Sequence, residues 1–174
     1  NINYNYSLSL WYLHKVINTS NKKIALASFA PTYSNATFNS ITLMNLPFAQ
    51  QEANAITALF NGKTYSGSVA TKQNFLINYN KYNILHCSMH SVLFDNDFNK
   101  SCLLFSNAQP LYFKELYTTA IAAEMVVLSA CNTGAGKLLD GEGMMSLSRA
   151  FTYSGVKSTV VSLWQVPDKE TSDL

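Results

Sequence analysis

The sequence predicts an α/β fold with a mainly parallel sheet and helices on both faces. Short apolar runs that are typical of buried strands alternate along the chain with segments whose apolar residues recur at helical spacing. This alternation favours right-handed crossovers, and such crossovers join parallel strands. In parallel sheets of this kind the ligand crevice lies at the carboxyl ends of the strands. Candidate functional residues should therefore follow strands.

A short helix and a strand open the chain. Ser7 can cap an amphipathic helix whose apolar residues keep helical spacing as far as Val16. Residues 24–30 form an apolar run that is typical of a buried strand. Residues 32–40 are rich in turn formers, which predicts a loop after this strand.

A second helix has recognisable start and stop signals. Pro47 suits the first helical position, Glu52 lies in the first turns, and Gly62 is the stop. The apolar positions of this helix are Phe48, Ile56, Leu59 and Phe60. We therefore expect a complete helix between Pro47 and Gly62.

The remainder of the chain continues the alternation of strands and helices. We expect extended segments near residues 63–65, 82–89, 102–105, 123–130 and 158–163. Helices are expected near residues 71–79, 113–122 and 144–153, with Gly155 closing the last of them. Residues 94–101 and 132–143 are rich in turn formers and should be loops.

Composition and charge argue against several classes of partner. The chain has 12 Lys and Arg against 10 Asp and Glu, and a net charge of +2 is no footprint for nucleic acid or an anionic membrane. No apolar run approaches the roughly 18 residues of a membrane span. The chain has three cysteines, Cys87, Cys102 and Cys131, and this small, odd number does not suit a disulfide framework. It favours a reducing compartment and hence the cytoplasm.

The length and the ends of the chain bear on domain organisation. Its 174 residues suffice for one domain with a sizeable core, so we expect a single domain over residues 1–174. The first residue is not Met, and residues 168–174 resemble the first turns of a helix. We therefore expect this domain to be a fragment of a longer chain.

A cysteine and a histidine each follow an apolar strand. The run over residues 125–130 stops at Cys131 and then continues into a Gly-rich segment. His90 ends the run that begins at residue 84, and it lies 41 residues before Cys131. A thiol at the end of a strand beside a flexible loop suits a nucleophile, and a histidine on a neighbouring parallel strand would be its base. The two residues together predict a Cys-His hydrolase.

These residues also have structural interpretations. A free cysteine is among the most buried residue types, and a strand-end histidine can simply donate to a backbone carbonyl. His86 and His90 suggest a metal site, but on a strand they would lie about 13 Å apart, too far to share one ion. Residues 134–137 hint at a phosphate loop but depart from the Walker pattern. We expect neither a metal nor an organic cofactor.

Several segments together resemble the CHAT family of caspase-like cysteine peptidases, which is related to separase and the caspases. The specific matches are LHCSMH at residues 85–90, LSACNTG at 128–134, GEG at 141–143, RAFTYSGV at 149–156 and VSLWQVPD at 161–168. Weaker matches lie at residues 29–31 and 46–53, so the resemblance covers most of the chain. It implies a three-layer caspase-like fold.

The resemblance also implies roles for individual residues. His90 and Cys131 would form the dyad of a cysteine endopeptidase that cleaves a protein substrate through an acyl-enzyme. The backbone N–H groups of Ser91 and Cys131 would form the oxyanion hole. The family most often has glycine after the catalytic histidine, and Ser91 departs from this pattern. A serine there should adopt glycine-like dihedrals at some cost or alter the loop.

Four further residues are candidates for substrate binding. Asp140 and Glu142 are candidate substrate-binding acids, with solvated loop charges as the alternative, while Leu163 and Trp164 are candidate apolar walls, with core packing as the alternative for Trp164. Family members often carry helical repeats upstream, so an upstream helical-repeat region or a regulatory protein is a candidate partner. The rival interpretation of the whole chain is a non-catalytic caspase-like module that binds another protein.

Overall fold

The computed structural model describes residue 12 and residues 24–94, 98–129 and 142–161. In chain order its strands and helices are β1 (Leu26–Pro31), β2 (Thr37–Phe38), β3 (Ile41–Thr42), α1 (Pro47–Phe60), β4 (Lys63–Gly67), α2 (Lys72–Asn78), β5 (Ile84–Cys87), β6 (Ser91–Val92), β7 (Cys102–Phe105), β8 (Gln109–Tyr112), α3 (Phe113–Leu116), β9 (Met125–Leu128), α4 (Glu142–Tyr153) and β10 (Ser158–Val161).

Five parallel strands form the central sheet, in the spatial order β10-β9-β5-β1-β4. Counted among themselves in chain order, these strands have the arrangement 2-1-3-4-5 of doubly wound sheets. The chain leaves β1 through α1 to reach β4 on one side, and β5 and β9 follow on the other side. The crevice of such a sheet lies at this switch point, outside the carboxyl ends of β1 and β5.

Helices cover both faces of the sheet. On one face α1 packs closely against β1, because the small side chains of Ala49 and Ala53 meet Ala30. On the other face Phe75 of α2 and Phe151 of α4 join the main apolar core of the sheet. The structure confirms the predicted three-layer α/β architecture with a mainly parallel sheet.

The buried face of α1 differs from the one that its large apolar residues suggested. Ala49, Ala53 and Thr57 are the buried positions of this helix, whereas the side chain of Leu59 is 81% exposed. The helix ends at Asn61 in the left-handed region, and Gly62 follows where a Cβ atom would lie 2.7 Å from the Leu26 carbonyl oxygen. The predicted bounds were correct, but small residues rather than bulky ones face the sheet.

The helix expected over residues 113–122 is only one turn long. It ends at Leu116 because the hydroxyls of Thr118 and Thr119 both donate to the Glu115 carbonyl, at 3.0 and 2.7 Å. Hydroxyl side chains that bond nearby carbonyls compete with helical hydrogen bonds in this way. Asn80 then accepts from the N–H of Ala122 at 2.9 Å and holds the following segment irregular.

Two small sheets extend the fold beyond the central one. Residues 32–40 contribute to the β2-β3 hairpin instead of forming a plain loop, and β6, β7 and β8 form an antiparallel sheet in that order. Only β7 had a counterpart in the sequence analysis. The helix expected from Ser7 to Val16 lies outside the described residues except for Tyr12, as do residues 132–141 and the chain beyond residue 161. Among the helices that the structure describes, none is long and apolar enough to cross a membrane.

Candidate active site

His90 lies three residues beyond the end of β5, at the carboxyl edge of the sheet. Its Nε2 atom is 2.7 Å from the Met44 carbonyl oxygen, and its backbone N–H donates to the Tyr33 hydroxyl at 3.0 Å. A carbonyl oxygen can only accept, so Nε2 carries a proton and Nδ1 holds the lone pair of the neutral ring. The residue is 6% exposed, and these contacts fix both the orientation and the tautomer of the imidazole.

Tyr33 supports His90 from the segment that follows β1. Its ring packs on the imidazole with centroids 4.6 Å apart, and its hydroxyl donates to the Leu104 carbonyl at 2.7 Å. Burial raises the pKa of Tyr33, so the phenol stays neutral. One hydroxyl therefore both donates to Leu104 and accepts from His90, which ties β7 to the candidate active site.

The β2-β3 hairpin brings Met44 to His90. Asn39 and Ser40 occupy its two-residue turn with φ angles of 49° and 65°, as a type I′ turn requires. The side chain of Asn45, just beyond Met44, accepts from the N–H of Tyr33 at 2.8 Å and so joins the two ends of the segment that contains the hairpin. The Asn39-Ser40 dipeptide is the sequence signal for this turn, although the turn formers of residues 32–40 predict only a loop.

Ser91 adopts an ordinary strand conformation. It begins β6, pairs with Leu103 of β7, and is not among the described residues with positive φ. The backbone cost expected for a serine in the place of glycine is therefore absent at this position.

A buried polar network lies beside His90, on the face of the sheet covered by α1. The Nε2 atom of His86 is 3.1 Å from Glu52 Oε1, and its Nδ1 is 2.8 Å from Ser28 Oγ. The other carboxylate oxygen, Oε2, accepts from Ser88 Oγ at 2.7 Å and from Ser129 Oγ at 3.1 Å. From the sequence, Glu52 is predicted only as an early residue of a helix.

The electrostatics of this network favour an ionised carboxylate. Burial alone would raise the pKa of Glu52, but the hydrogen bond and charge of His86 and the hydroxyls of Ser88 and Ser129 outweigh it and hold the pKa below its ordinary value. Within the described ranges, no three His, Cys, Asp or Glu side chains come together as metal ligands would. Glu52 thus acts as an acceptor for hydrogen bonds in this network.

The lowered pKa of Glu52 predicts an acid-dependent loss of stability. The ionised form contributes stability above the ordinary pKa of 4.5, and this contribution is lost as the pH falls through the lower pKa of the folded state. We expect the free energy of unfolding to decline below about pH 4.5, and to decline less in Glu52→Gln, which cannot titrate at this position. Urea unfolding across this pH range measures both slopes, and equal slopes would contradict the assignment.

The two cysteines that the structure describes are buried thiols. Cys87 and Cys102 are both free and fully buried, and burial raises the pKa of each to about 12. Thiols of this kind remain protonated at neutral pH and react slowly. Neither has the properties of a nucleophile.

The strand that leads to Cys131 lies next to the strand that leads to His90. β5 and β9 are parallel neighbours, and their register pairs Cys87 with Leu128. His90 and Cys131 each follow their member of this pair by three residues in the sequence. Cys131, Asp140, Leu163 and Trp164 lie outside the described residues, and Glu142 is described only as the first residue of α4.

The fold and the histidine at its switch point define a doubly wound α/β domain with a candidate active site at the carboxyl edge of the sheet. The family model of the CHAT domain matches residues 1–174, and the chain belongs to this family, which is caspase-like and related to peptidases. A solved structure that it resembles is a short-chain flavodoxin associated with a non-canonical PDU bacterial microcompartment. The identity is 12%, the TM-score is 0.44, and the match covers 86% of this chain and 91% of that chain. No curated protein matches the sequence.

Proposed function

We propose that this domain is a cysteine endopeptidase that cleaves a protein substrate with His90 and Cys131 as its catalytic dyad. The observation that carries the proposal is the Met44 carbonyl bound to Nε2 of His90, which leaves Nδ1 as the proton-accepting atom of a ring at the carboxyl end of β5. The register of β5 with β9 and the equal offsets of His90 and Cys131 from the Cys87–Leu128 pair support the pairing of these residues.

The proposed reaction begins with transfer of the Cys131 proton to Nδ1 of His90. The thiolate attacks the carbonyl carbon of the scissile peptide bond, and the backbone N–H groups of Ser91 and Cys131 stabilise the oxyanion that forms. The imidazolium then protonates the leaving amine, and an acyl-enzyme remains. Water, deprotonated by His90, attacks the acyl-enzyme and releases the carboxylic acid and the free thiol. The Met44 carbonyl favours the cationic imidazolium because it accepts from Nε2 throughout.

Selective alkylation of Cys131 is the test of this proposal. At neutral pH iodoacetamide should label Cys131 well before Cys87 and Cys102, whose burial keeps them as thiols with a pKa of about 12. His90→Ala should slow the labelling of Cys131, since the base that supports the thiolate is removed. Mass spectrometry of the digested protein measures all three sites. Labelling of Cys131 that is slow and insensitive to His90→Ala would favour the non-catalytic interaction module.

The segments around Asp140, Glu142, Leu163 and Trp164 are proposed to set substrate preference. The GEG turn at residues 141–143 suits a role in holding its loop, so we expect Leu163 and Trp164 to form an apolar pocket that prefers an aliphatic residue before the scissile bond. Profiling of peptide libraries with the wild type, Asp140→Asn and Glu142→Gln should give the same preference in all three. A basic preference that collapses in either variant would refute the apolar pocket, because a desolvated carboxylate selects Lys or Arg.

The proposal also includes the setting in which the enzyme works. The free thiols of Cys87 and Cys102 support a reducing compartment, and we propose the cytoplasm. An upstream helical-repeat region or a separate regulatory protein is proposed as the partner that controls activity.

A further inference from the structure

One carboxylate oxygen joins the segments that lead to both proposed catalytic residues. Glu52 Oε2 accepts from the hydroxyl of Ser88 at 2.7 Å and from the hydroxyl of Ser129 at 3.1 Å. Ser88 precedes His90 by two residues, and Ser129 precedes Cys131 by two residues. The two serines occupy equivalent places after β5 and β9, and Glu52 reaches both of them from α1.

The carboxylate is itself held in a fixed orientation. His86 donates to Oε1 at 3.1 Å and contacts Ser28 of β1 at 2.8 Å through its other nitrogen. The Glu52 side chain is only 11% exposed, and the small residues Ala49 and Ala53 seat its helix close to the sheet. A carboxylate that is anchored on one oxygen and buried has little freedom to move, so its second oxygen is a rigid reference point.

We propose that Glu52 is a positioning residue that sets the distance between the His90 and Cys131 segments, an inference that rests on the proposed dyad. The register of β5 and β9 ends with the Cys87–Leu128 pair, one residue before each serine. Among the described residues beyond that pair, Glu52 links the two segments through its hydrogen bonds to Ser88 and Ser129. Because an error of about 1 Å in placing reacting groups can cost on the order of 10²-fold in rate, a link of this kind affects catalysis without touching substrate.

The proposal predicts a characteristic split of kinetic parameters. Glu52→Ala should lower kcat by about 10²-fold and leave KM nearly unchanged, since the reacting groups rather than the substrate contacts are displaced. Glu52→Gln keeps an accepting oxygen and should recover most of the loss. Ser88→Ala and Ser129→Ala each release one segment from the carboxylate and should each lower kcat by less than Glu52→Ala, which releases both. The double serine variant also releases both segments and should match Glu52→Ala.

Glu124→Ala is the matched control. Glu124 is also a partly buried, ion-paired glutamate, with Lys157 at 2.7 Å, but it precedes β9 and so lies at the amino edge of the sheet. Its replacement should leave kcat unchanged. A general loss of activity on removing an ion-paired glutamate would appear in this variant as well.

Resonances of the His90 ring provide a readout that does not require proteolysis. In protein labelled with 15N-histidine, the His90 Nδ1 and Nε2 shifts should change in Glu52→Ala and Ser129→Ala and stay unchanged in Glu124→Ala.

The outcomes separate this proposal from the proposed function. If the wild type is active and Glu52→Ala has the same kcat, the positioning role is overturned and the proposed peptidase still stands. If the wild type cleaves no protein, the peptidase proposal fails. The positioning role is then overturned separately if the His90 ring shifts in Glu52→Ala and Ser129→Ala equal those of the wild type. Should Glu52→Ala not fold, Ser129→Ala decides the question, since it removes a single hydrogen bond.

Discussion

Cys131→Ala and His90→Ala should each abolish the proteolysis that we propose for this domain. Removal of the nucleophile or of its base in a Ser-His-Asp triad lowers kcat by on the order of 10⁶-fold, since neither residue works without the other, and we expect a loss of the same kind here. Activity should be measured with a protein substrate or peptide library that the wild type cleaves. Cleavage at the wild-type rate by either variant would show that the nucleophile or the base is misassigned.

His90→Ala should also lower the stability of the fold. His90 is buried, and its removal leaves the Met44 carbonyl without its donor, so we expect His90→Ala to lose about 1–3 kcal/mol of unfolding free energy. Met44→Ala is the matched control, because the Met44 side chain is 77% exposed and only its backbone carbonyl binds the ring. This variant should retain both activity and stability. A large loss of activity in Met44→Ala would mean that the side chain has a role beyond its carbonyl.

His86→Ala should lower the free energy of unfolding by about 3–5 kcal/mol. His86 is buried and donates to Glu52, so its removal leaves a largely buried carboxylate without its main partner and Ser28 without its own. Urea unfolding at neutral pH, where Glu52 is ionised, measures the loss. His86→Gln should lose less, since its amide can still donate to the carboxylate.

The same variant distinguishes the two histidines of the LHCSMH segment. His90→Ala should affect activity far more than stability, whereas stability is the larger effect for His86→Ala. An unfolding free energy for His86→Ala within about 0.5 kcal/mol of the wild type would contradict the buried network, because that is the range of substitutions that remove no buried interaction.

The fold was predictable because most of its signals are local. Apolar runs defined β1, β5, β9 and β10, and Pro47 and Gly62 bounded α1 correctly. The predicted length of α3 and the predicted buried face of α1 were wrong, also for local reasons, which the pattern of apolar residues does not reveal. Thr118 and Thr119 end α3 through hydroxyl bonds to a carbonyl, and the buried face of α1 consists of small residues while the large Leu59 faces solvent.

The sequence by itself determined the α/β class, the family and the place of His90 after a strand of the sheet, and it predicts Cys131 as the partner of His90, because periodicity, turn residues and motif spacing are encoded over a few neighbouring positions. The tertiary structure alone decided which group binds the His90 ring and which groups form the Glu52 network. The Met44 carbonyl binds it across 46 residues, Glu52 reaches His86 across 34 residues, and Ser129 reaches Glu52 across 77 residues. Such pairings arise only when the hairpin, α1 and the sheet have packed together. A backbone carbonyl can belong to any residue type, so its contact with His90 leaves no pattern in the sequence. The sequence also does not distinguish a buried glutamate from an exposed one.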